Sequence, residues 1–268
     1  AGPTASGKSA LASRLAETLG GVVVNADSMQ IYEGLAILTA RPTPQDEAQA
    51  PHRLYGCVDP ARAWSVADWL ADVETVLAEI RAAGRLPIFV GGTGLYFEAL
   101  TKGLAAVPEI PAEVRAHWRA KAERIGAAGL HAALARRDPV MAERLRPTDT
   151  QRLTRALEVI EATGRSLADW QAAPNSAPLV APEEALRIVL EPERAELHRR
   201  IATRFAAMIE AGAVEEAARF VARGLRPETP AMRAIGVGCL ADVAARRLTL
   251  AAGVARGVAA PRHYANRQ

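Results

Sequence analysis

Apolar positions along the chain follow two patterns, and the change from one to the other divides it. In the first hundred residues, short continuous apolar runs alternate with longer stretches of helical period. Val22-Val23-Val24-Asn25, which follows Gly20 and Gly21, and Leu86-Pro87-Ile88-Phe89-Val90 lack polar alternation, as strands buried on both faces of a parallel sheet do. Leu54-Tyr55-Gly56-Cys57-Val58 predicts a further short strand. Between these lie two helical stretches, Ala10 to Leu19 and Val66 to about Ala83. Ser65 caps the second, with Asp68 at its third position, and Gly84 stops it. Residues 41–52, with Pro42 and Pro44 among polar groups, predict an exposed loop. Strands alternating with helices in this order imply an α/β fold with a doubly wound parallel sheet.

From Gly103 to about Pro182 no stretch has strand composition. The period is helical, interrupted by Pro108, Pro111, Pro139, Pro147 and Pro174, as expected of a mainly helical insertion domain. Within it, Leu153, Leu157 and Ile160 share one helix face, and Gln151, Arg152 and Arg155 fall away from that face, either simply solvated or available to a partner. Leu186-Arg187-Ile188-Val189-Leu190 returns to strand composition and is expected to rejoin the sheet. Helices then run from about Glu193 to Gly212 and from Val214 to Gly224, and a loop with Pro227 and Pro230 leads to Met232-Arg233-Ala234-Ile235-Gly236. The expected organisation is an α/β core of residues 1–102 and 183–268 around an insertion of residues 103–182.

Composition narrows the function. With 268 residues, half of them apolar, the chain can bury a core without covalent staples. No stretch approaches the ~18–20 uninterrupted apolar residues of a membrane span, and no charged-then-apolar leader opens the sequence, so a soluble, cytoplasmic protein is expected. Cys57 and Cys239 stand far apart without metal-ligand spacing, which favours reduced thiols over a disulfide. Nothing suggests a coiled coil, and a monomer is the default. Charge is uneven: residues 1–100 carry a net −4 and residues 101–268 a net +7, with 24 arginines among the 26 cations of the second part. That part is a candidate surface for a polyanion, because guanidinium groups contact phosphates in pairs and stack on bases; an arginine-rich set of solvated helix faces is the alternative.

Candidate chemistry starts at Gly2-Pro3-Thr4-Ala5-Ser6-Gly7-Lys8-Ser9, a complete G-x-x-x-x-G-K-[ST] loop. Its glycines let backbone N–H groups turn inward around a diphosphate, Lys8 reaches over the phosphate oxygens, and Ser9 offers a hydroxyl to Mg²⁺. The helix that follows adds its N-terminal dipole. Such a loop follows a buried strand, and only Ala1 precedes it here, so that strand is expected to lie outside this sequence. Asp27 stands at the carboxyl end of the 22–25 strand, the edge where ligands sit in open α/β sheets; with Gln30 it also fits a helix cap and its reciprocal partner. Gly91-Gly92-Thr93-Gly94 ends the 86–90 strand at the same edge, where ordinary P-loop NTPases carry a metal-binding Asp. A diphosphate other than that of ATP therefore becomes a candidate ligand.

The segments GPTASGKS at 2–9, NADSMQIYEGL at 25–35, TARP at 39–42, PHRL at 51–54, VGGTGLYFEAL at 90–100, QRLTRALEV at 151–159 and MRAIG at 232–236 together resemble the tRNA dimethylallyltransferases, or tRNA isopentenyltransferases, in family order along nearly the whole chain. The resemblance implies a P-loop-type α/β core with a helical insertion that grips a tRNA anticodon stem-loop. It implies transfer of a dimethylallyl group from dimethylallyl diphosphate to N6 of adenosine 37, in tRNAs that read codons starting with U. Residues 2–9 and Arg233 are then the diphosphate site, Ser9 the Mg²⁺ ligand, and Asp27 the general base beside Thr93. Asp27, Ser28, Met29, Gln30, Thr93, Arg115, Gln151, Arg152, Leu153, Thr154 and Arg155 are the tRNA side. The sequence departs from the family pattern at Leu38, Gly238, Pro261 and Asn266, and its end falls short of the stretch that commonly follows. Two other readings use the same loop: a small-molecule or nucleotide kinase, which the absence of readable lid arginines disfavours, and a tRNA-binding homologue with impaired chemistry.

Overall fold

The continuous apolar run at 22–25 becomes the central strand. β1 (Val22–Asn25) is buried at every position and pairs in parallel with both β2 (His52–Arg53) and β3 (Pro87–Val90), with Val23 opposite His52 on one side and Ile88 on the other, in the order β2-β1-β3. The structure is a computed structural model that describes residues 1–173 and 176–265. Because side chains alternate along a strand, Val23 packs with Ala12 and Ala16 of α1 (Lys8–Leu19), while Val22 and Val24 pack with Ile80 and Val76 of α3 (Val66–Ala82). Helices thus cover both faces of the sheet, and each buried valine contributes roughly 1.5–3 kcal/mol.

The α3 helix opens with the expected capping box: Asp68 N–H donates to Ser65 Oγ at 3.2 Å, and Ser65 N–H to the Asp68 carboxylate at 2.9 Å. Its Trp69 is fully buried, stacks on Tyr96 of α4 (Gly94–Lys102) at 4.3 Å between ring centroids, and donates Nε1–H to Asn25 O at 2.9 Å. This bond ties α3 to the end of β1, the point at which the chain turns toward Asp27.

Three local expectations change. Residues 41–52 hold α2 (Pro44–Gln49), because Thr43 and Asp46 form a capping box and Pro44 suits the first helical turn. The strand expected at 54–58 lies earlier, at His52–Arg53: Leu54 adopts a left-handed φ of 63°, which breaks the extended run, and Val58 keeps only an isolated bridge to Tyr32. Residues 186–190 form no ladder. Their backbone bonds to Ala1, whose ammonium donates to Ile188 O at 2.7 Å and whose carbonyl accepts from Leu190 N–H at 2.9 Å.

Two compact units result, one of residues 1–101 and 180–268 and one of residues 102–179. In the second, α5 (Ala112–Arg137), broken at Gly126 (φ 64°, ψ −176°), packs with α6 (Pro139–Arg144), α7 (Thr150–Thr163) and α8 (Leu167–Ala172) around Trp118, Leu130, Leu134, Leu153 and Leu157. No strand occurs among the described residues of this unit. The first unit continues with α9 (Arg194–Glu210), α10 (Ala213–Val221), α11 (Val237–Ala244) and α12 (Leu250–Ala265), which contains Pro261. Pro174 and Asn266 lie outside the described residues.

Candidate active site

The loop that opens α1 makes an anion cradle from backbone. Gly7, its N-cap, has φ 93°, a conformation in which any Cβ is strained. The first intrahelical bond runs from Leu11 N–H to Gly7 O at 3.1 Å, so the amides of Lys8, Ser9 and Ala10, at the positive end of the helix dipole, have no backbone acceptor among the described residues. They face a cavity of about 370 Å³ lined by residues 4–10, Asp27, Gln30, Thr39, Ala40 and two side chains of α9, Arg200 and Arg204.

Charge in this cavity is out of balance. Lys8 Nζ donates to Pro3 O at 3.1 Å, and burial holds its ammonium below the ordinary lysine range; Arg204 pushes the same way and Asp27 opposes. Burial likewise lowers the Arg204 guanidinium, again opposed by Asp27, and its Nη2 donates to Thr4 Oγ1. Two largely buried cations around one carboxylate leave a positive excess, costly until an anion arrives.

Asp27 is held by its neighbours. Its N–H donates to Asn25 Oδ1 at 2.8 Å, and its Oδ1 accepts from Met29 N–H at 2.9 Å. Asn25, fully buried, donates Nδ2–H to the carbonyls of Asp27 (3.0 Å) and Leu54 (2.9 Å). Asp27 Oδ2 makes no hydrogen bond among the described residues and lies in the cavity that Lys8 and Arg204 also line. Next to it, Thr93 Oγ1 accepts from Ser28 N–H at 3.0 Å, and Thr93 N–H donates to Ala26 O at 3.3 Å. The backbones approach so closely here that a Cβ on Gly91 would lie 2.0 Å from Ala26 O, which restricts that position to glycine.

The predicted residues divide accordingly. The loop, Asp27, Ser28, Met29, Gln30 and Thr93 share one unit and one sheet edge. Gly2 and Pro3 do not line the cavity, although the Pro3 carbonyl holds Lys8. Gln30 lines it and also donates Nε2–H to the carbonyls of Thr39 (2.7 Å) and Ala40 (3.0 Å). Arg233 is exposed at the end of a 3₁₀ turn (Pro230–Arg233) whose Ala231 is buried, and it is not a lining residue. Arg200 and Arg204 are the guanidinium groups at the cavity, and both escaped the sequence reading. Their signal was the four-residue spacing, each arginine one position ahead of a buried residue, Ile201 and Phe205.

In the insertion, Gln151, Arg152 and Arg155 are exposed on α7, whereas Leu153 is fully buried and Thr154 nearly so. Leu153 belongs to the core cluster of this unit. Arg155 lies 3.7 Å from Glu158, whose carboxyl is raised by burial and lowered in part by Arg155, Arg119 and Arg115. Cys57 and Cys239 are free thiols. Among the described residues, no helix is long and apolar enough to cross a membrane.

A family model described as IPP transferase matches residues 30–268. The tRNA dimethylallyltransferase of Rhodopseudomonas palustris strain CGA009 is 54% identical over 268 residues, spanning 100% of this chain and 83% of its own. That of Beijerinckia indica is also 54% identical, over 100% of this chain and 88% of its own. These alignments include the phosphate loop and Asp27, which precede the family-model match. Among solved structures, the full-length tRNA isopentenylpyrophosphate transferase of Bacillus halodurans superposes with a TM-score of 0.67 at 34% identity, covering 100% of this chain and 83% of that one. A eukaryotic dimethylallyltransferase acting on tRNA shares the fold with a TM-score of 0.81 at 24% identity, over 99% of this chain and 67% of its own.

Proposed function

The chain belongs to the IPP transferase family of tRNA dimethylallyltransferases, and from that premise we propose that its phosphate-loop cavity holds the diphosphate of dimethylallyl diphosphate while Asp27 serves the tRNA base that attacks it. The reaction is dimethylallyl transfer to tRNA. The acceptor we assign is N6 of adenosine 37, beside the anticodon, and the setting is the cytoplasm. The observation that carries this reading is the cavity itself, where helix-start amides, Lys8 and Arg204 meet a single carboxylate.

In the chemical step a bond forms from N6 to the allylic carbon, and the carbon–oxygen bond breaks with its electron pair leaving on the diphosphate. The developing charge meets the amides of Lys8, Ser9 and Ala10 and the cations of Lys8 and Arg204, donors fixed before the substrate binds. An exocyclic adenine amine is a weak nucleophile because its lone pair is delocalised into the ring. Asp27 therefore accepts the N6 proton as the new bond forms, and its bonds to Asn25 and Met29 hold it for that transfer. Thr93 sets the neighbouring backbone through Ser28. A hard cation would find the Ser9 hydroxyl at the cavity, which fits Mg²⁺, an ion that binds through few protein oxygens plus substrate phosphates. When bound, Mg²⁺ supplies further neutralisation of the diphosphate oxygens. An anticodon loop presents its bases unpaired, so extracting the adenine costs little, and exposed Arg152 and Arg155 of the insertion suit the phosphates of its stem.

The test is transfer of labelled dimethylallyl groups to unmodified tRNA, read by nucleoside mass, in wild type and Asp27→Asn. Wild type yields the prenylated adenosine; Asp27→Asn loses about 10²–10⁴-fold in rate and keeps its tRNA affinity. A mutant near wild-type rate removes Asp27 from its role, and ATP turnover without tRNA points to the kinase alternative.

A further inference from the structure

Glu216 is a buried carboxylate, 6% exposed, with no ion-pair partner among the described residues. It stands in the first turn of α10 and directs both oxygens at backbone: Oε1 accepts the amides of Ala36 (2.8 Å) and Ile37 (2.9 Å), and Oε2 that of Leu38 (2.8 Å). These three amides open a tight turn in which Ala40 N–H donates to Ile37 O and Arg41 N–H to Ala36 O, both at 2.9 Å. As at a helix start, the leading N–H groups of such a turn have no acceptor within it, and a buried turn needs one from outside. Glu216 satisfies three at once.

The trailing end of the turn is the wall of the diphosphate cavity. Thr39 and Ala40 line it, Ala40 at a left-handed φ of 53°, and their carbonyls are held by Gln30, three residues after Asp27. The turn is therefore pinned from two directions, by the Asp27 segment and by α10, the helix that follows α9 with Arg200 and Arg204. Leu38, where the family pattern has glycine, is buried, and its Cδ2 lies 2.8 Å from where a Cβ on Gly236 would stand. Gly236 thus leaves room for this side chain.

We infer that Glu216 is a positioning residue for the diphosphate cavity, fixing through the amides of residues 36–38 the Thr39–Ala40 wall of the cavity that Arg200 and Arg204 also line. The inference rests on the reading of that cavity as the diphosphate site. In Glu216→Gln, the remaining carbonyl oxygen still serves one side, but the amide group presents hydrogens to a backbone N–H. In Glu216→Ala all three amides lose their acceptor. The expected result is a KM for dimethylallyl diphosphate raised about tenfold in Glu216→Gln and further in Glu216→Ala, with the KM for tRNA within about twofold of wild type. A folded Glu216→Gln with unchanged KM for the diphosphate, or with both KM values raised alike, overturns the assignment. If the variants do not fold, amide exchange of wild type decides: added inorganic diphosphate slows exchange at residues 36–41 when the turn is part of the site, and unaltered exchange there overturns it. A wild type that binds inorganic diphosphate at this turn yet transfers no dimethylallyl group refutes the proposed reaction and supports Glu216's role in the cavity.

Discussion

Replacing Arg204 with methionine separates what the cavity costs the fold from what it contributes to binding. The guanidinium is largely buried, donates to Thr4 Oγ1 and lies close enough to Lys8 to lower its pKa. Methionine keeps most of the apolar stem and removes one of two like charges. Without substrate, the loss of one hydrogen bond, about 1 kcal/mol, is offset by relief of burial and repulsion, so the melting temperature holds or rises. With substrate, a charge-assisted hydrogen bond to the diphosphate disappears. Such bonds are worth about 1.5–3 kcal/mol, or roughly 10- to 150-fold in KM for dimethylallyl diphosphate. The pH profile supplies a second readout. Because the Lys8 pKa is depressed in the fold, its charge destabilises the protein at pH below that folded pKa, and the penalty fades as pH rises through it toward the ordinary lysine value. Diphosphate affinity falls over the same window, as the neutral amine no longer pairs. Removing Arg204 lifts the Lys8 pKa, so the alkaline loss of affinity moves to higher pH. Melting with and without inorganic diphosphate, and KM across the neutral to alkaline range, measure all three effects. A lower melting temperature with unchanged KM, or an alkaline limb that moves down, refutes the reasoning.

Gly91→Ala drives a Cβ toward Ala26 O and the Asp27 amide; it is expected to cost roughly 1–3 kcal/mol in denaturant unfolding and to depress transfer, and an unaffected enzyme would mean that the strand ends have room to part. Trp69→Phe leaves the Asn25 carbonyl without its donor and should cost about 1–3 kcal/mol, read by the urea midpoint. Arg152→Ala with Arg155→Ala should weaken tRNA binding and reduce the slope of log affinity against log salt by about 1.4–1.8; an unchanged slope in a filter-binding titration makes these arginines merely solvated.

Local chemistry is what the order of residues determines by itself. The 22–25 and 86–90 strands, the capped α3 helix, the phosphate loop and the Asp27 turn follow from short-range pattern, because burial on both faces, capping and positive φ each leave a mark within a few positions. The apolar run at 186–190 has strand composition yet forms no ladder, because pairing depends on a neighbouring backbone that no local window specifies. Leu153 and Thr154 shared a motif with exposed arginines, and only the packing of α7 separated core face from free face. Arg200, Arg204 and Glu216 lie more than 170 residues from the loop and turn that they serve, in helices whose charges look like any solvated set. Their roles come from burial and from the pairing of distant backbone with side chain, quantities that no sequence window contains and that the tertiary structure alone decided.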